Sequence, residues 1–435
     1  MATGPAPAET RPEDARLTDG GYLGFVLAMG LSALGDAAWY VTLAWTVTAD
    51  TGPARAGAVL ALASLPRLVT LLGAGAVVDS VGPRRVMAGA DLARCSVMAL
   101  AAAGALALGP GVPLLVAAAA GLALFGAFFI PASGSLRAGL LPDRHLVRGN
   151  ALYLGALRGG QAAGGPLGGV LMALGGIPLV AAVNAVTYAV SALAVLRVRN
   201  RGGRSAEAAA PAPAADPDTS RPAGAGAATP ERRPSLAARI GEGLKAVAAA
   251  PRLRAVITVI GLTEFAGAGP INIGVALMAS RNGSAAAGAG LLLTAFTVGA
   301  AAGFLLSLVW PARRRAGRVL VVGTLGQTLC LVGLAWAPTT VAALAPYAGL
   351  GLVSALVGTV LVSCVQRWAP EAVRGRVVSI QALLIFGAAP LGNLVIGVLV
   401  EWAGMTWALL LHALVALTAV GTVLLTPLLR QARLD

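Results

Sequence analysis

Three ionisable side chains that could bind protons or charged molecules lie inside long apolar stretches of the sequence. They are Asp36, Arg67 and Glu264. A charged group among apolar residues is costly to bury, so each of the three needs a partner or a function. Asp36 lies about 22 Å of helix from the start of its stretch and Arg67 about 18 Å from the end of its own, so the two share a similar depth. We expect Asp36 and Glu264 to hold protons or cationic groups, with Arg67 controlling their charge.

One alternative stays open for these residues. Asp36 and Arg67 could form an ion pair whose only role is to orient two helices. Glu264 has no basic residue at its own depth, which makes it the better proton carrier of the two carboxylates. Other polar and aromatic side chains could line a cavity near the three, with helix–helix packing as the alternative for each: Trp39, Tyr40, Gln161, Phe265 and Asn272.

Patterns typical of enzymes are absent from the sequence. It contains no HExxH, no GxSxG, no phosphate-binding loop and no cluster of cysteine and histidine. Its two histidines are His145 and His412, and its three cysteines are scattered through apolar stretches. We therefore expect no catalytic residues, no cofactor and no metal. A polytopic lipid-processing enzyme and a non-transporting membrane receptor remain as alternatives of other classes.

The elements that carry these residues are twelve apolar stretches, each long enough to cross a bilayer as a helix of roughly 20 residues. Hydrophobic residues make up 57% of the 435 residues and charged ones 11%, against about a quarter in a soluble domain. The predicted fold is an all-α polytopic membrane protein of twelve transmembrane helices. We number the stretches as spans 1 to 12: Gly21–Thr48, Gly57–Val78, Val86–Gly109, Pro113–Ser133, Ala151–Leu174, Pro178–Leu196, Ala255–Ser280, Ala287–Trp310, Val319–Trp336, Val341–Val365, Val378–Trp402 and Trp407–Leu429.

The spans divide into two halves of six. A basic, Pro/Ala/Gly-rich segment separates the halves and cannot bury a core, although SLAARIGEGLKAVAAA near its end has the spacing of a short amphipathic helix. The predicted organisation is a disordered cytoplasmic tail (1–20), an N-terminal half (21–198), a cytoplasmic linker with the amphipathic helix (199–252), a C-terminal half (253–429) and a cytoplasmic tail (430–435).

The halves also repeat each other in sequence. Asp36 and Glu264 are separated by the same number of residues as Arg85 and Arg313, and as Pro142 and Pro370. All three pairs occupy matching positions in the two halves. This pattern predicts duplicated halves related by a pseudo-two-fold axis along the membrane normal.

The net charge of +14 is explained by topology rather than by nucleic-acid binding. Basic residues concentrate in alternate loops, for example at Arg84, Arg85, Arg144, Arg148 and residues 313–315. Positive charge is retained on the cytoplasmic side of membrane proteins. We therefore expect a multi-pass protein of the inner (cytoplasmic) membrane with both termini in the cytoplasm. The first 20 residues have no pattern of a cleavable signal.

The loop between spans 2 and 3 reads GAVVDSVGPRR from Gly75 to Arg85. It resembles the cytoplasmic loop signature of the major facilitator superfamily, G-x-x-x-D-[RK]-x-G-R-[RK], with Ser80 and Pro83 departing from the pattern. Under this resemblance the loop is a gate that pairs across the boundary between the halves, and a basic turn that only sets topology is the alternative. The predicted gating residues are Gly75 for close helix approach, Asp79 for capping or pairing, Gly82 for a tight turn, Arg84 and Arg85 for ion pairs, and Arg94 as support for Asp79.

Span 5 contains a second family-like segment, RGGQAAGGPLGGV. It is similar to the antiporter signature of the same family, although Gln161 replaces its first glycine. Such a patch bends a helix and permits close packing, so it is predicted to be a hinge between helices, with plain packing as the alternative. Its residues are Gly164, Gly165, Pro166, Gly168 and Gly169.

The segments LGDAAWYVTLAW in span 1 and ADLARC in span 3 resemble the branch of this family that exports macrolide-type drugs and siderophores. The resemblance implies a secondary active transporter that works by alternating access, with spans 1 and 7 lining a central cavity. The implied function is proton-coupled export of an amphipathic drug, antibiotic or siderophore, with uptake or uniport of a small metabolite as the alternative. The implied partners are a small-molecule substrate, protons and the lipid bilayer, with no nucleic acid, for a monomeric protein.

The predicted orientation can be tested with two single cysteines in a background from which Cys95, Cys330 and Cys364 have been removed. A cysteine at Ala208 in the linker should react with a membrane-impermeant maleimide only from the cytoplasmic side. A cysteine at Asn282, after span 7, should react only from outside. Labelling of both positions from outside would contradict the twelve-span topology.

Overall fold

A computed structural model describes residues 20–140, 143–198, 241, 244–245, 247–309, 316–369 and 374–432. The described chain is helical and contains no strand. The predicted N-terminal tail and most of the predicted linker with its amphipathic helix lie outside the described residues. So do Pro142, Pro370 and residues 313–315.

The helices follow the apolar stretches closely. Long runs of Leu, Val and Ala form helices because in hydrocarbon every backbone polar group must be paired within the chain. Ten of the described helical stretches are long and apolar enough to cross a membrane, and two of these run for 46 residues. The helices of spans 1 to 6 are Gly20–Thr51, Pro53–Val81, Pro83–Leu108, Val112–Leu140 and, for spans 5 and 6 together, Asp143–Arg197. Those of spans 7 to 12 are Pro251–Ile271 with Gly274–Arg281, Ala286–Val309, Ala316–Trp336, Thr340–Trp368 and, for spans 11 and 12 together, Arg374–Leu425.

Each of the two very long helices is interrupted at a glycine. The backbone is non-helical at Gly176 (φ 62°) and at Gly404 (φ 83°), a left-handed region that glycine enters without strain. The chain reverses at Gly176, because Gly168 before it packs on Ala38 while Tyr188 after it bonds to Asp36 in the same part of span 1. The prediction of twelve spans is therefore confirmed. We call the end of the molecule that carries Gly176 and Gly404 the outer end, and the end that carries the Gly82 turn the inner end.

Span 7 differs from the continuous helix that the sequence predicts. Its helix ends at Ile271 and resumes at Gly274. Pro270 lacks a backbone N–H and weakens the helix at this point. The hydroxyl of Tyr347 in span 10 donates a hydrogen bond to the carbonyl oxygen of Pro270 at 3.0 Å, so the break leaves this buried acceptor satisfied.

Packing inside the two halves follows the same plan. Span 1 packs on span 5, and span 7 packs correspondingly on span 11. Glycines permit both contacts: a Cβ added to Gly164 would lie 2.3 Å from the backbone oxygen of Leu34, and one added to Gly269 would lie 2.6 Å from that of Gly392. Spans 2 with 4 and 3 with 6 match spans 8 with 10 and 9 with 12. The two halves therefore have the pseudo-two-fold relation that the repeat predicts.

The halves meet through two equivalent pairs of helices, span 5 with span 8 and span 2 with span 11. A Cβ added to Gly165 would lie 2.5 Å from the oxygen of Gly290, and one added to Gly290 would lie 2.3 Å from that of Gly165. Thr294 donates to the oxygen of Ala162 at 2.6 Å. The backbone N–H of Ala54 donates to Oε2 of Glu401 at 2.9 Å. These contacts bring the halves together toward the outer end.

The predicted hinge residues on span 5 therefore face two different partners. Gly164 and Gly168 approach span 1 within the same half, whereas Gly165 and Gly169 approach span 8 of the other half. Pro166 lies between the two pairs. One glycine patch thus supports both the packing of the N-terminal half and the closure between the halves.

The C-terminal boundary differs from the predicted tail of 430–435. Residues Pro427–Arg430 form a short helix, and Leu429 is fully buried. The N–H of Gly317 at the start of span 9 donates to the oxygen of Ala432 at 3.2 Å. Packing on span 9 therefore continues at least to Ala432.

The glycine contact between the halves predicts how the closed outer end can be opened. Gly165→Ala and Gly290→Ala each place a methyl group too close to a backbone oxygen, and such overpacking costs about 1–3 kcal/mol. The closed outer end should lose stability relative to an open one. A cysteine at Ala389 in the cavity described below should then be labelled faster by an impermeant maleimide added at the outer side. Gly155→Ala, on the same span but with no atom within 4 Å, should leave the rate unchanged, and equal rates in all three variants would contradict the proposed contact.

Candidate functional site

A cavity of about 740 Å³ lies between the halves. The C-terminal half contributes residues from the middle of its spans toward the outer end, such as Asn272 after the helix break, Phe296 in span 8 and Asn393 in span 11. The N-terminal half also lines the cavity nearer the inner end, at Arg137 and Tyr153. The cavity is thus covered at the outer end by both halves and opens toward the inner end.

Asp36 lies in the wall of this cavity at the centre of a polar network. Its side chain is 45% exposed, and its Oδ2 lies 3.9 Å from Nη1 of Arg94. The buried hydroxyl of Tyr188 in span 6 donates to its Oδ1. Behind it, Arg94 donates to the fully buried Asp91, which also accepts a hydrogen bond from Ser191 at 2.5 Å. One guanidinium is therefore shared by two carboxylates of spans 1 and 3.

Two aromatic rings enclose the guanidinium of Arg94. Its Cζ lies 4.4 Å from the ring centroid of Phe129 in span 4 and 4.4 Å from that of Tyr188. Aromatic faces attract cations, and the attraction grows when water is excluded. Arg94 is 5% exposed, so its charge is compensated almost entirely by the protein.

Arg67 is not the ion-pair partner of Asp36, so the alternative of an Asp36–Arg67 pair that only orients two helices is wrong. In the described part of the chain no carboxylate lies within 4 Å of Arg67, and its buried Nε has no hydrogen bond. Its Nη2 lies beside Gly126, 3.4 Å from the position that a Cβ added to this glycine would occupy. The sequence did contain the signal for the true partner. Arg94 follows Pro83 by about 17 Å of helix, so it lies at the same depth as Arg67. It is therefore too far from the loop of Asp79 to support it as predicted.

Glu264 and Phe265 do not line the cavity, which also differs from the prediction. The ring of Phe265 stacks on His412 in span 12 with centroids 5.7 Å apart. Glu264 is partly buried and has no hydrogen bond or ion pair to any described residue. It precedes Ile271, which does line the cavity, by two helical turns, or about 10 Å. Within the described residues, Glu264 is therefore an unpaired carboxyl group. It lies closer to the inner end than the residues of span 7 that line the cavity.

The other predicted lining residues do reach the cavity: Trp39, Tyr40, Gln161 and Asn272. Gln161 accepts a hydrogen bond at 2.9 Å from Nη1 of Arg158, whose guanidinium lies 5.3 Å from the ring of Phe304. The sequence prediction missed Arg158 and Arg137 as lining residues. Arg158 lies inside predicted span 5, and Arg137 lies one helical turn after the predicted end of span 4. These positions could have revealed both residues.

The loop between spans 2 and 3 makes no hydrogen bond or ion pair across the halves within the described residues. Asp79 and Arg85 are exposed, and Gly75 has no atom near enough to contact an added Cβ. Gly82 does form the predicted tight turn (φ 93°). Arg84 donates to the backbone oxygens of Val195 and Leu196 at the end of span 6. In this conformation the loop therefore ties span 3 to span 6 of its own half, and the predicted helix approach at Gly75 is not observed.

The ionisable side chains of the cavity are mostly cationic. They are Asp36, Arg67, Arg94, Arg137 and Arg158. This composition does not favour the cationic substrate groups expected from the sequence.

Two helical halves around a central cavity that opens at one end form the architecture of a secondary transporter. Residues 25–269 match the model of the Major Facilitator Superfamily. The chain is 30% identical over 401 residues to the multidrug efflux pump Tap of Mycolicibacterium fortuitum, covering 89% of this chain and 91% of that protein. The chain belongs to the major facilitator superfamily and is a transporter rather than an enzyme.

Solved structures show the same fold at low sequence identity. The D-xylose–proton symporter has a TM-score of 0.71 at 12% identity, covering 95% of this chain and 99% of that chain. The nucleoside transporter NupG has a TM-score of 0.68 at 15% identity, covering 93% of this chain and 99% of that chain.

The polar network predicts opposite effects of two arginine substitutions on stability. Arg94→Met leaves the buried carboxylate of Asp91 without its cationic partner. Breaking a buried ion pair in this way lowers the free energy of unfolding by about 3–5 kcal/mol. Arg67→Met removes a charge that forms no ion pair within the described residues and should leave stability unchanged or raised. Thermal unfolding of the purified variants, followed by tryptophan fluorescence, measures both. Equal unfolding temperatures for the two variants would contradict the network.

Proposed function

We propose that the protein is a proton-coupled exporter of amphipathic small molecules in the inner (cytoplasmic) membrane. The relative from Mycolicibacterium fortuitum, named as a multidrug efflux pump and similar over nearly the whole chain, supports export. The cavity supports a drug-sized substrate, because ligand sites of this kind occupy roughly 300–1,000 Å³. Its walls combine apolar and aromatic side chains with a few polar groups, as amphipathic ligands require.

We assign the inner end of the molecule to the cytoplasm, with both termini on that side, because basic residues concentrate in the inner loops. The cavity then opens to the cytoplasm, and substrate enters it from there or from the inner leaflet. Separation of the Gly165–Gly290 and Ala54–Glu401 contacts would open the outer end for release. The protein acts as a monomer surrounded by lipid, since one chain contains the whole cavity.

The observation that carries proton coupling is the unpaired carboxyl group of Glu264. A carboxyl group in an apolar span without a cationic partner can accept and release a proton at small cost, whereas an ion-paired one is held ionised. Asp36 contacts Arg94 and Tyr188, so its partners are already in place and it acts on substrate from the cavity wall. Because Glu264 lies outside the cavity wall, proton and substrate occupy separate places and need not displace each other directly.

We expect Glu264→Gln to abolish transport driven by a pH gradient. The test uses inside-out proteoliposomes with an acidic lumen, the membrane potential clamped at zero by potassium and valinomycin, and a panel of amphipathic fluorophores. Wild-type protein should accumulate substrate and dissipate the pH gradient. Glu264→Gln should do neither, although it should still bind substrate.

Two further variants make this test specific. Asp50→Asn, an exposed carboxyl group at the outer end of span 1, should behave like the wild type. Asp36→Asn should change substrate affinity while coupling persists. If Glu264→Gln still accumulates substrate and still dissipates the gradient, this residue is not the proton carrier.

A further inference from the structure

We propose that the cavity binds acidic groups of its substrates at two separate guanidinium groups, those of Arg67 and Arg158. The substrates are then amphipathic molecules that carry a carboxylate, a sulfonate or another ionised acid. This inference rests on the proposed transport function and names the class of molecule that is transported.

The first support is the unequal pairing of the cavity's arginines. Arg94 lies between Asp36 and Asp91, so its charge is already compensated. Neither Arg67 nor Arg158 has a carboxylate within 4 Å in the described part of the chain. An unpaired cation deep in a membrane protein is costly. An anionic ligand would remove that cost each time it binds.

The second support is a set of unused hydrogen-bond donors. A guanidinium has five N–H donors in a planar fork that fits carboxylate and sulfonate oxygens. Among the residues that the structure describes, the buried Nε atoms of Arg67 and Arg158 have no acceptor. Within the same residues, the side-chain hydrogen bond of Arg158 goes to the neutral oxygen of Gln161. An acidic group in the cavity would supply the missing acceptors together with the missing negative charge.

The third support is the division of the cavity between the halves. All of its ionisable lining residues belong to the N-terminal half. The C-terminal half contributes neutral side chains, among them Ile271, Leu293 and Phe296. Trp39 and Tyr40 add aromatic surface on the N-terminal side. This arrangement fits a molecule with an acidic group at one end and an apolar or aromatic body.

The test compares two fluorophores with nearly the same aromatic framework. 1-Anilinonaphthalene-8-sulfonate is anionic, and N-phenyl-1-naphthylamine is its neutral counterpart. Each is titrated into protein in lipid nanodiscs without any pH gradient, with empty nanodiscs as the blank. Arg67→Met and Arg158→Met should each weaken binding of the sulfonate about tenfold, as expected for a hydrogen bond to a charged group. Binding of the neutral amine should not change.

Three controls separate a charge effect from a loss of folding. Arg67→Lys keeps the positive charge and should retain most of the sulfonate affinity. Asp36→Asn removes a negative charge from the cavity wall and should tighten sulfonate binding. Arg252→Met removes an exposed arginine at the start of the helix of span 7 and should change the binding of neither ligand. Each variant is first checked for a single unfolding transition.

The inference is overturned if the arginine variants weaken both fluorophores equally, or if they weaken neither. Its failure is distinguishable from failure of the proposed function, because these titrations need no gradient. A loss of coupling in Glu264→Gln with no arginine effect on binding would support proton-driven export of neutral or cationic molecules. The reverse result would support an anion transporter that does not use Glu264.

Discussion

Charge inside a membrane-spanning bundle must be compensated by the protein, and the guanidinium of Arg94 is where this constraint has the widest effect. Its partners come from span 1 through Asp36, span 4 through Phe129 and span 6 through Tyr188, while Arg94 itself and Asp91 belong to span 3. One buried cation thus connects four of the six helices of the N-terminal half. The positions of these helices define most of the cavity wall, so the shape of the cavity depends on this network.

The interior of the described C-terminal half is connected by neutral hydrogen bonds instead, and the charged Arg281 donates to the oxygens of Ala335 and Ala337 at the outer end. Gln327 in span 9 donates to the oxygen of Thr263 at 2.9 Å, and Tyr347 donates to that of Pro270. Both bonds satisfy backbone carbonyls of span 7, and the bond to Pro270 lies next to the position where its helix breaks. Neutral bonds to the backbone are weaker than bonds between charged groups. The N-terminal half, which carries the charged residues of the cavity, is therefore more firmly connected than the C-terminal half. The break in span 7 gives this helix a point at which it can bend.

Features that depend on periodicity and composition were predictable from the sequence, and features that depend on which helices are neighbours were not. The twelve spans follow from the lengths of the apolar stretches. The chain reversals near Gly176 and Gly404 and the close packing on span 5 follow from the positions of glycines. The partner of Asp36 does not, because residues of spans 2 and 3 can lie at the same depth while only one of them reaches span 1. The bonds from Arg84 to the end of span 6 could not be predicted for the same reason, because they depend on which helix packs beside span 3.

The sign of the cavity's charge also bears on the energy that drives the proposed cycle. A cell interior is electrically negative, and moving one charge through the membrane potential is worth about 2.3 kcal/mol per 100 mV. An anion that leaves the cell and a proton that enters it both move charge in the favourable direction. Export of a cation in exchange for one proton moves no net charge, so the potential would contribute nothing. If Arg67 and Arg158 select anions as proposed, the same arginines that determine affinity also add the membrane potential to the pH gradient as a source of energy for export.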